Sequence, residues 1–261
     1  MHTMRYPNGL FGWIDLMTRD TAAATRFYEG LFGWSHVDLP TPMGVPYTQF
    51  FKDGQLVCGM SPMMPGVPES VGAFWNSYVI VEDAEATIDR VLPAGGSVLM
   101  GPDDVMDQGR LAMIADPTGA TVGLWQPNQH QGADVFNVAG SLTWNELQTR
   151  DIDAALPFYA AVFGWEWTDG PDDGYHIANL PNKPGDDKTN AGAMSTPPGV
   201  PAEAPNVWSV YFAVDDCDTS VAAAQGLGGS VFLPAMQMGP GKFAGLMDPT
   251  GGMFLLGSFG G

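Results

Sequence analysis

The sequence predicts an α+β protein of two tandem domains, each a pair of modules in which a strand and a helix precede further strands. Three observations predict it. A stretch reading Phe11-Gly-Trp13-Ile-Asp15-Leu, then Thr18-Arg19-Asp20, Phe27-Tyr28 and Phe32-Gly33-Trp34, returns as Leu142-Thr-Trp144-Asn-Glu146-Leu, then Thr149-Arg150-Asp151, Phe158-Tyr159 and Phe163-Gly164-Trp165. No single helix or turn demands so many residue types in one order, so a whole folding unit was duplicated. Within each copy the strand and helix pattern starts again, near Phe74 and near Trp208. Each copy then closes on the same turn, Asp116-Pro-Thr-Gly119 and Asp248-Pro-Thr-Gly251.

Taken in order, residues 10–18 alternate and are bounded by glycine, which reads as a strand, and Asp20 then caps a helix from Thr21 to about Leu31 that Gly33 stops. Phe27, Tyr28 and Leu31 recur at helical spacing and form a stripe that must lie on a sheet. Strands near 45–51 and 55–61 flank the turn Lys52-Asp53-Gly54, and a loop rich in Pro and Met runs from Pro62 to Pro68. The second module opens with a strand from Phe74 to Val81, followed by Asp83 and a helix that ends at Pro93-Ala-Gly95-Gly96. Strands near 97–100, 110–115 and 120–126 complete it. The segment after Pro127 carries Asn, Gln and Gly, which predicts domains at 1–127 and 140–261 joined by a linker at 128–139.

Composition narrows the function. The length of 261 residues agrees with two domains, each able to bury a core. The formal net charge of −19 repels a phosphate backbone, so nucleic acid and anionic membrane are poor partners. Acid in Asp169–Asp173 and in Asp186-Asp187 reads as solvated loop. Cys58 and Cys217 do not recur at matching places, which argues against a duplicated disulfide or metal scheme and for reduced thiols in the cytoplasm. No signal-peptide run or bilayer-length apolar segment is present in the sequence.

An Asp-capped helix containing Phe-Tyr and ending in Leu/Phe-Gly-Trp, set between a strand and a closing Asp-Pro-x-Gly hairpin, resembles the vicinal oxygen chelate superfamily. That group includes glyoxalase I, extradiol dioxygenases and bleomycin- or fosfomycin-resistance proteins. Trp-x-Asp/Glu-Leu, with Gly109-Arg110-Leu and Gly241-Lys242-Phe, further resembles its two-domain actinobacterial members of glyoxalase-like or hydroxylase type. The resemblance implies two glyoxalase-like domains, each a pair of βαβββ modules whose mixed sheet curls into a cup with helices outside.

Metal enzymes of the family place His or Gln on the first strand and Glu on the last strand of each module. Carried over, the first-strand positions are Trp13, Asn76, Trp144 and Ser209; the last-strand positions are Gly123, Leu255, Gly59 or Met60, and Gly192 or Ala193. None is a normal ligand for zinc, nickel or iron. His2 in the tail, His36 after a helix, His130 in the linker and His176 in a strand without a counterpart in the other copy read as surface or locally satisfied residues. The expectation is therefore no metal and no cofactor.

Strand alternation puts Trp13 and Asp15 on one face, and likewise Trp144 and Glu146. A carboxylate turned into a cup needs a partner, and Arg110 and Lys242 are the candidates. Two readings stay open. In one, aromatic walls (Trp13, Tyr47, Tyr78, Trp125; Trp144, Tyr175, Tyr211), with Asn76, Ser209, Arg110 and Lys242, bind a small-molecule, antibiotic- or metabolite-like ligand without metal. Its enzymatic variant makes Asp15 or Glu146 the general base of a glyoxalase-like lyase or hydroxylase. In the other, the carboxylates are structural and the tryptophans fill an obsolete cavity. A monomer or weak homodimer is expected, since duplication supplies in one chain the pairing that single-domain relatives obtain by dimerising.

Overall fold

The computed structural model describes residues 5–42, 44–239 and 241–259, so His2 lies outside the described residues. The first half of the chain runs β1 (Phe11–Thr18), α1 (Thr21–Phe32), β2 (Ser35–Leu39), β3 (Tyr47–Lys52), β4 (Gln55–Pro62), β5 (Phe74–Ile80), α2 (Ala84–Val91), β6 (Ser97–Val105), β7 (Gly109–Ala115) and β8 (Thr121–Pro127). The second half repeats it: β9 (Leu142–Thr149), α3 (Ile152–Phe163), β10 (Glu166–Asp169), β11 (Tyr175–Asn179), β12 (Thr189–Ser195), β13 (Val207–Ala213), α4 (Cys217–Gly226), β14 (Ser230–Met238), β15 (Gly241–Met247) and β16 (Met253–Phe259).

Two eight-stranded mixed sheets result, ordered β2-β3-β4-β1-β5-β8-β7-β6 and β10-β11-β12-β9-β13-β16-β15-β14, and neither is a closed barrel. The α+β class and the four βαβββ modules are as the sequence predicts. Two strands escaped the reading. β2 is exposed along nearly its whole length and β10 is only four residues long, so neither shows the alternation of a half-buried strand.

The helices begin where the sequence says. Asp20 accepts the Ala23 N–H at 2.8 Å and Asp151 the Ala154 N–H at 3.0 Å, while Gly33 and Gly164 end the same helices at φ 68° and 73°. Only glycine adopts that left-handed cap without strain.

The chain packs into two compact units that each draw on both copies of the repeat. One comprises Ile14–Asn76, Ala133–Thr143 and Ser209–Gly261; the other comprises Met1–Trp13, Ser77–Gly132 and Trp144–Trp208. In the first, Ile14, Leu16, Phe27 and Phe32 share a core with Val210, Phe212, Phe254 and Leu256. In the second, Val79, Ile114 and Leu124 pack with Phe158, Val162 and Trp165.

A matched polar chain crosses each core. Tyr28 Oη donates to Asp248 Oδ2 at 2.8 Å and accepts from Trp75 Nε1 at 3.1 Å; Tyr159 Oη donates to Asp116 Oδ2 at 2.9 Å and accepts from Trp208 Nε1 at 2.8 Å. The repeated Phe-Tyr of the helix and the repeated Asp of the closing turn thus meet across the duplication. Burial, then the Asp charge, pushes both phenols well above their ordinary pKa.

Candidate functional site: two carboxylates each held by a tyrosine

The first carboxylate belongs to the unit that contains Ile14–Asn76. Ile14 and Leu16 of β1 lie fully in its core, and Asp15 turns the opposite way. Asp15 is 7% exposed and accepts from Asn76 Nδ2 at 3.0 Å and from Tyr47 Oη at 3.3 Å. The strand order explains how Tyr47 reaches it. β3 is separated from β1 by β4, and Gly59 of β4 pairs with Asp15 on one side and with Gln49 on the other. Gly59 has no side chain, so the phenol lies across it; a Cβ there would stand 2.0 Å from Tyr47 Oη. Cys58, next along β4, is fully buried, and burial followed by the Asp15 charge pushes its thiol well up, which keeps it inert.

The second carboxylate, in the other unit, repeats the device. Glu146, 5% exposed on β9, accepts from Tyr175 Oη at 2.9 Å and from Gln148 Nε2 at 3.1 Å. Tyr175 of β11 crosses Gly192 of β12, which pairs with Glu146, and a Cβ at Gly192 would stand 1.9 Å from Tyr175 Oη. Trp144 Nε1 donates to the same hydroxyl at 2.9 Å, so Trp144, Tyr175 and Glu146 form one directed chain. Burial, with the Glu146 charge second, drives the Tyr175 phenol far up, so it stays a proton donor.

The other aromatic residues expected at a pocket make contacts of their own: Tyr78 of β5 lies over Gly123 of β8, where a Cβ would stand 2.1 Å from its ring. Trp125 donates from Nε1 to the His130 carbonyl at 2.8 Å, and the His130 ring packs edge-on against Trp13 at 4.3 Å. Tyr211 is buried beside Phe243 at 6.1 Å, and Ser209 is half-buried on β13. The partners expected for the carboxylates need correction. Arg110 pairs with Glu85 and Asp104, both at 3.0 Å, and Lys242 pairs with Asp218. Each cation reaches an acid on its own module's helix or neighbouring strand, an acid in solvent that costs less to approach than a buried one. Tyr47 and Asn76 are among the groups that hold Asp15, and Tyr175 and Gln148 among those that hold Glu146.

Sequence reasoning missed the tyrosine's crossing of a glycine and the place of His130, which reads as linker surface yet packs on Trp13. The glycines carried the first signal: Gly59, Gly123 and Gly192 stand inside strands, where a glycine marks a close approach.

The positions that the resemblance assigns to metal ligands hold Trp, Asn, Ser, Gly and Leu, and tyrosine rings fill the space over three of the glycines. Among the described residues, no group of three or more His, Cys, Asp or Glu side chains is placed to hold a metal ion. This donor set does not fit the transition metals of the family.

Fold and site together define a tandem glyoxalase-type protein, and the comparisons agree. The glyoxalase/bleomycin resistance protein/dioxygenase superfamily model matches residues 10–124, and the glyoxalase-like domain model matches residues 144–256. The chain belongs to that superfamily. It is 44% identical to the candidate glyoxylase CFP32 of Mycobacterium bovis, over 95% of this chain and 94% of that one. It is 37% identical to the anthracycline biosynthesis protein DnrV of Streptomyces peucetius, over 96% and 93%. Among solved structures it is similar in fold to the 2,3-dioxygenase LapB from Pseudomonas sp. KL28, with a TM-score of 0.66, 12% identity and coverage of 97% and 94%. The Mn(II)-bound glyoxalase from Novosphingobium aromaticivorans gives 0.65 and 12%, covering 97% and 83%. No helix among the described residues is long and apolar enough to cross a membrane.

Proposed function

We propose that this protein binds a small planar, hydroxyl- or amine-bearing molecule without a metal, by stacking on tryptophan and hydrogen bonding to a tyrosine-held carboxylate. The observation that carries the reading is the chain Trp144–Tyr175–Glu146, in which a half-buried indole, at a position the resemblance assigns to a metal ligand, and a half-buried phenol, lying over Gly192, adjoin one acid. A carboxylate so placed accepts from a ligand hydroxyl or ammonium, and the net charge of −19 favours a cation over an anion. The name of DnrV supports a planar polycyclic ligand class.

The test is fluorescence titration with the anthracycline daunorubicin, a planar amine, against chelator-treated protein. Binding is expected to survive chelation and to weaken by at least about tenfold, or ~1.4 kcal/mol, in Trp144→Ala. Binding that Trp144→Ala leaves unchanged would sink the assignment. A second reading is favoured by the tyrosine hydroxyl on each carboxylate: Asp15 or Glu146 takes a proton as general base in a glyoxalase-like or hydroxylase-type reaction, and the tyrosine orients it. Glu146→Gln and Asp15→Asn are then expected to abolish turnover of a hemithioacetal substrate with the fold intact. Full activity in both variants excludes that role.

A further inference from the structure

The two repeated tryptophans lie in one unit but do not stand in the same surroundings. Trp144 is half-buried, with its N–H on Tyr175. Trp13 is 3% exposed, and one of the groups that covers it is the ring of His130, edge-on at 4.3 Å. His130 comes from the segment after β8, which is anchored rather than free: the Asn128 and His130 N–H groups both donate to the Gln108 carbonyl at 3.0 Å, and Gln129 Nε2 donates to Asp107 Oδ2 at 2.8 Å. Trp125 holds the His130 carbonyl, and its own ring lies 5.4 Å from the imidazole. Gly132 then seats the segment on β1, at φ 104°, where a Cβ would stand 2.5 Å from the Gly12 carbonyl.

We infer that residues 128–132 are an intramolecular plug in which the His130 imidazole occupies the ring-stacking place on Trp13. Trp144 is then the stacking tryptophan of the native protein, and displacing the plug opens a second site for a planar aromatic ring on Trp13. The second clause rests on the ligand reading above; the first does not.

Two variants release the plug by different routes. His130→Gly removes the ring, and Gly132→Ala pushes the segment off β1 while keeping His130. Oxidation by N-bromosuccinimide, followed residue by residue by peptide mass spectrometry, reads tryptophan access without any ligand. In the native protein Trp144 is expected to oxidise at least about tenfold faster than Trp13, and in both variants Trp13 is expected to approach the Trp144 rate while Trp144 keeps its own. Equal rates in the native protein, or a Trp13 rate that neither variant raises, overturns the plug. Daunorubicin stoichiometry is then expected to rise from one to two per chain in His130→Gly. A stoichiometry that stays at one while Trp13 has become reactive overturns the second site. Absence of daunorubicin binding to native protein and variant alike counts against the ligand reading and leaves the oxidation result to decide the plug.

Discussion

Each carboxylate of the repeated motif depends on a tyrosine that crosses a glycine. Removing one hydroxyl leaves a buried acid short of a donor, and such a loss costs about 1–3 kcal/mol. Tyr175→Phe is therefore expected to lower the unfolding free energy by that amount in a urea titration, and Tyr47→Phe by less, since its bond to Asp15 is 3.3 Å against 2.9 Å. The crossing also predicts that these glycines cannot be filled. Gly192→Ala puts a Cβ into the Tyr175 hydroxyl, so either the ring swings off Glu146 or the strand strains, at a cost of about 1–3 kcal/mol. A Gly192→Ala protein as stable as the native one, with an unchanged Tyr175 environment by NMR, would contradict the packing. At this scale the sequence was half legible. Alternation on β1 and β9 turned Asp15 and Glu146 away from the core correctly, but nothing in one dimension shows that a residue two strands away holds them. Arg110 and Lys242 were misjudged because a cation at the start of a strand reaches whichever acid the adjacent helix or strand presents, here Glu85, Asp104 and Asp218.

At the scale of elements, α1 and α3 are tied to the closing turns by Tyr28–Asp248 and Tyr159–Asp116. Asp248 also accepts from the Thr250 N–H, the Thr250 hydroxyl and the Gly252 N–H, so the turn Asp-Pro-Thr-Gly and the helix are fixed through one side chain. Asp248→Ala is expected to cost more than Tyr28→Phe, because it also strips the turn of its acceptor; equal losses in denaturant midpoints would contradict the shared role. The tyrosines give a pH dependence. Tyr28, Tyr159 and Tyr175 have phenols raised above the ordinary value in the folded chain. Unfolded tyrosines release their protons at about pH 10 whereas these three hold theirs to higher pH, so their contribution is complete below that pH and is lost as pH rises from it toward the raised folded values. Spectrophotometric titration is expected to show at least these three of the seven tyrosines ionising only with alkaline unfolding. Caps, helices and turns were legible because Asp, Gly and Pro act locally. β2 and β10 were not, because exposed edge strands borrow their structure from neighbours.

For the whole molecule, the repeat in the sequence and the packing in space divide the chain differently. The duplication runs along the chain, whereas each compact unit takes pieces from both copies, and each core cluster mixes them. Pieces 1–127 and 140–261, expressed apart, are therefore each expected to expose half of two cores and to lack a cooperative unfolding transition; mixed, they are expected to recover one. Two fragments that each unfold cooperatively alone would contradict that organisation. Sequence similarity reveals ancestry but not which module buries against which, and this is why the duplication was plain and the interleaving was not.

Trp13 and Trp144 stand where the resemblance places first-strand metal ligands, each with a tyrosine-held carboxylate two residues further along its strand. Metal content tests this claim most directly: elemental analysis of protein purified from medium supplied with zinc, nickel, iron and manganese, compared with the same protein after chelation. Far less than one metal per chain is expected, with daunorubicin affinity and thermal stability unchanged by chelation. One tightly held transition metal per chain, whose removal abolishes binding, would contradict the claim.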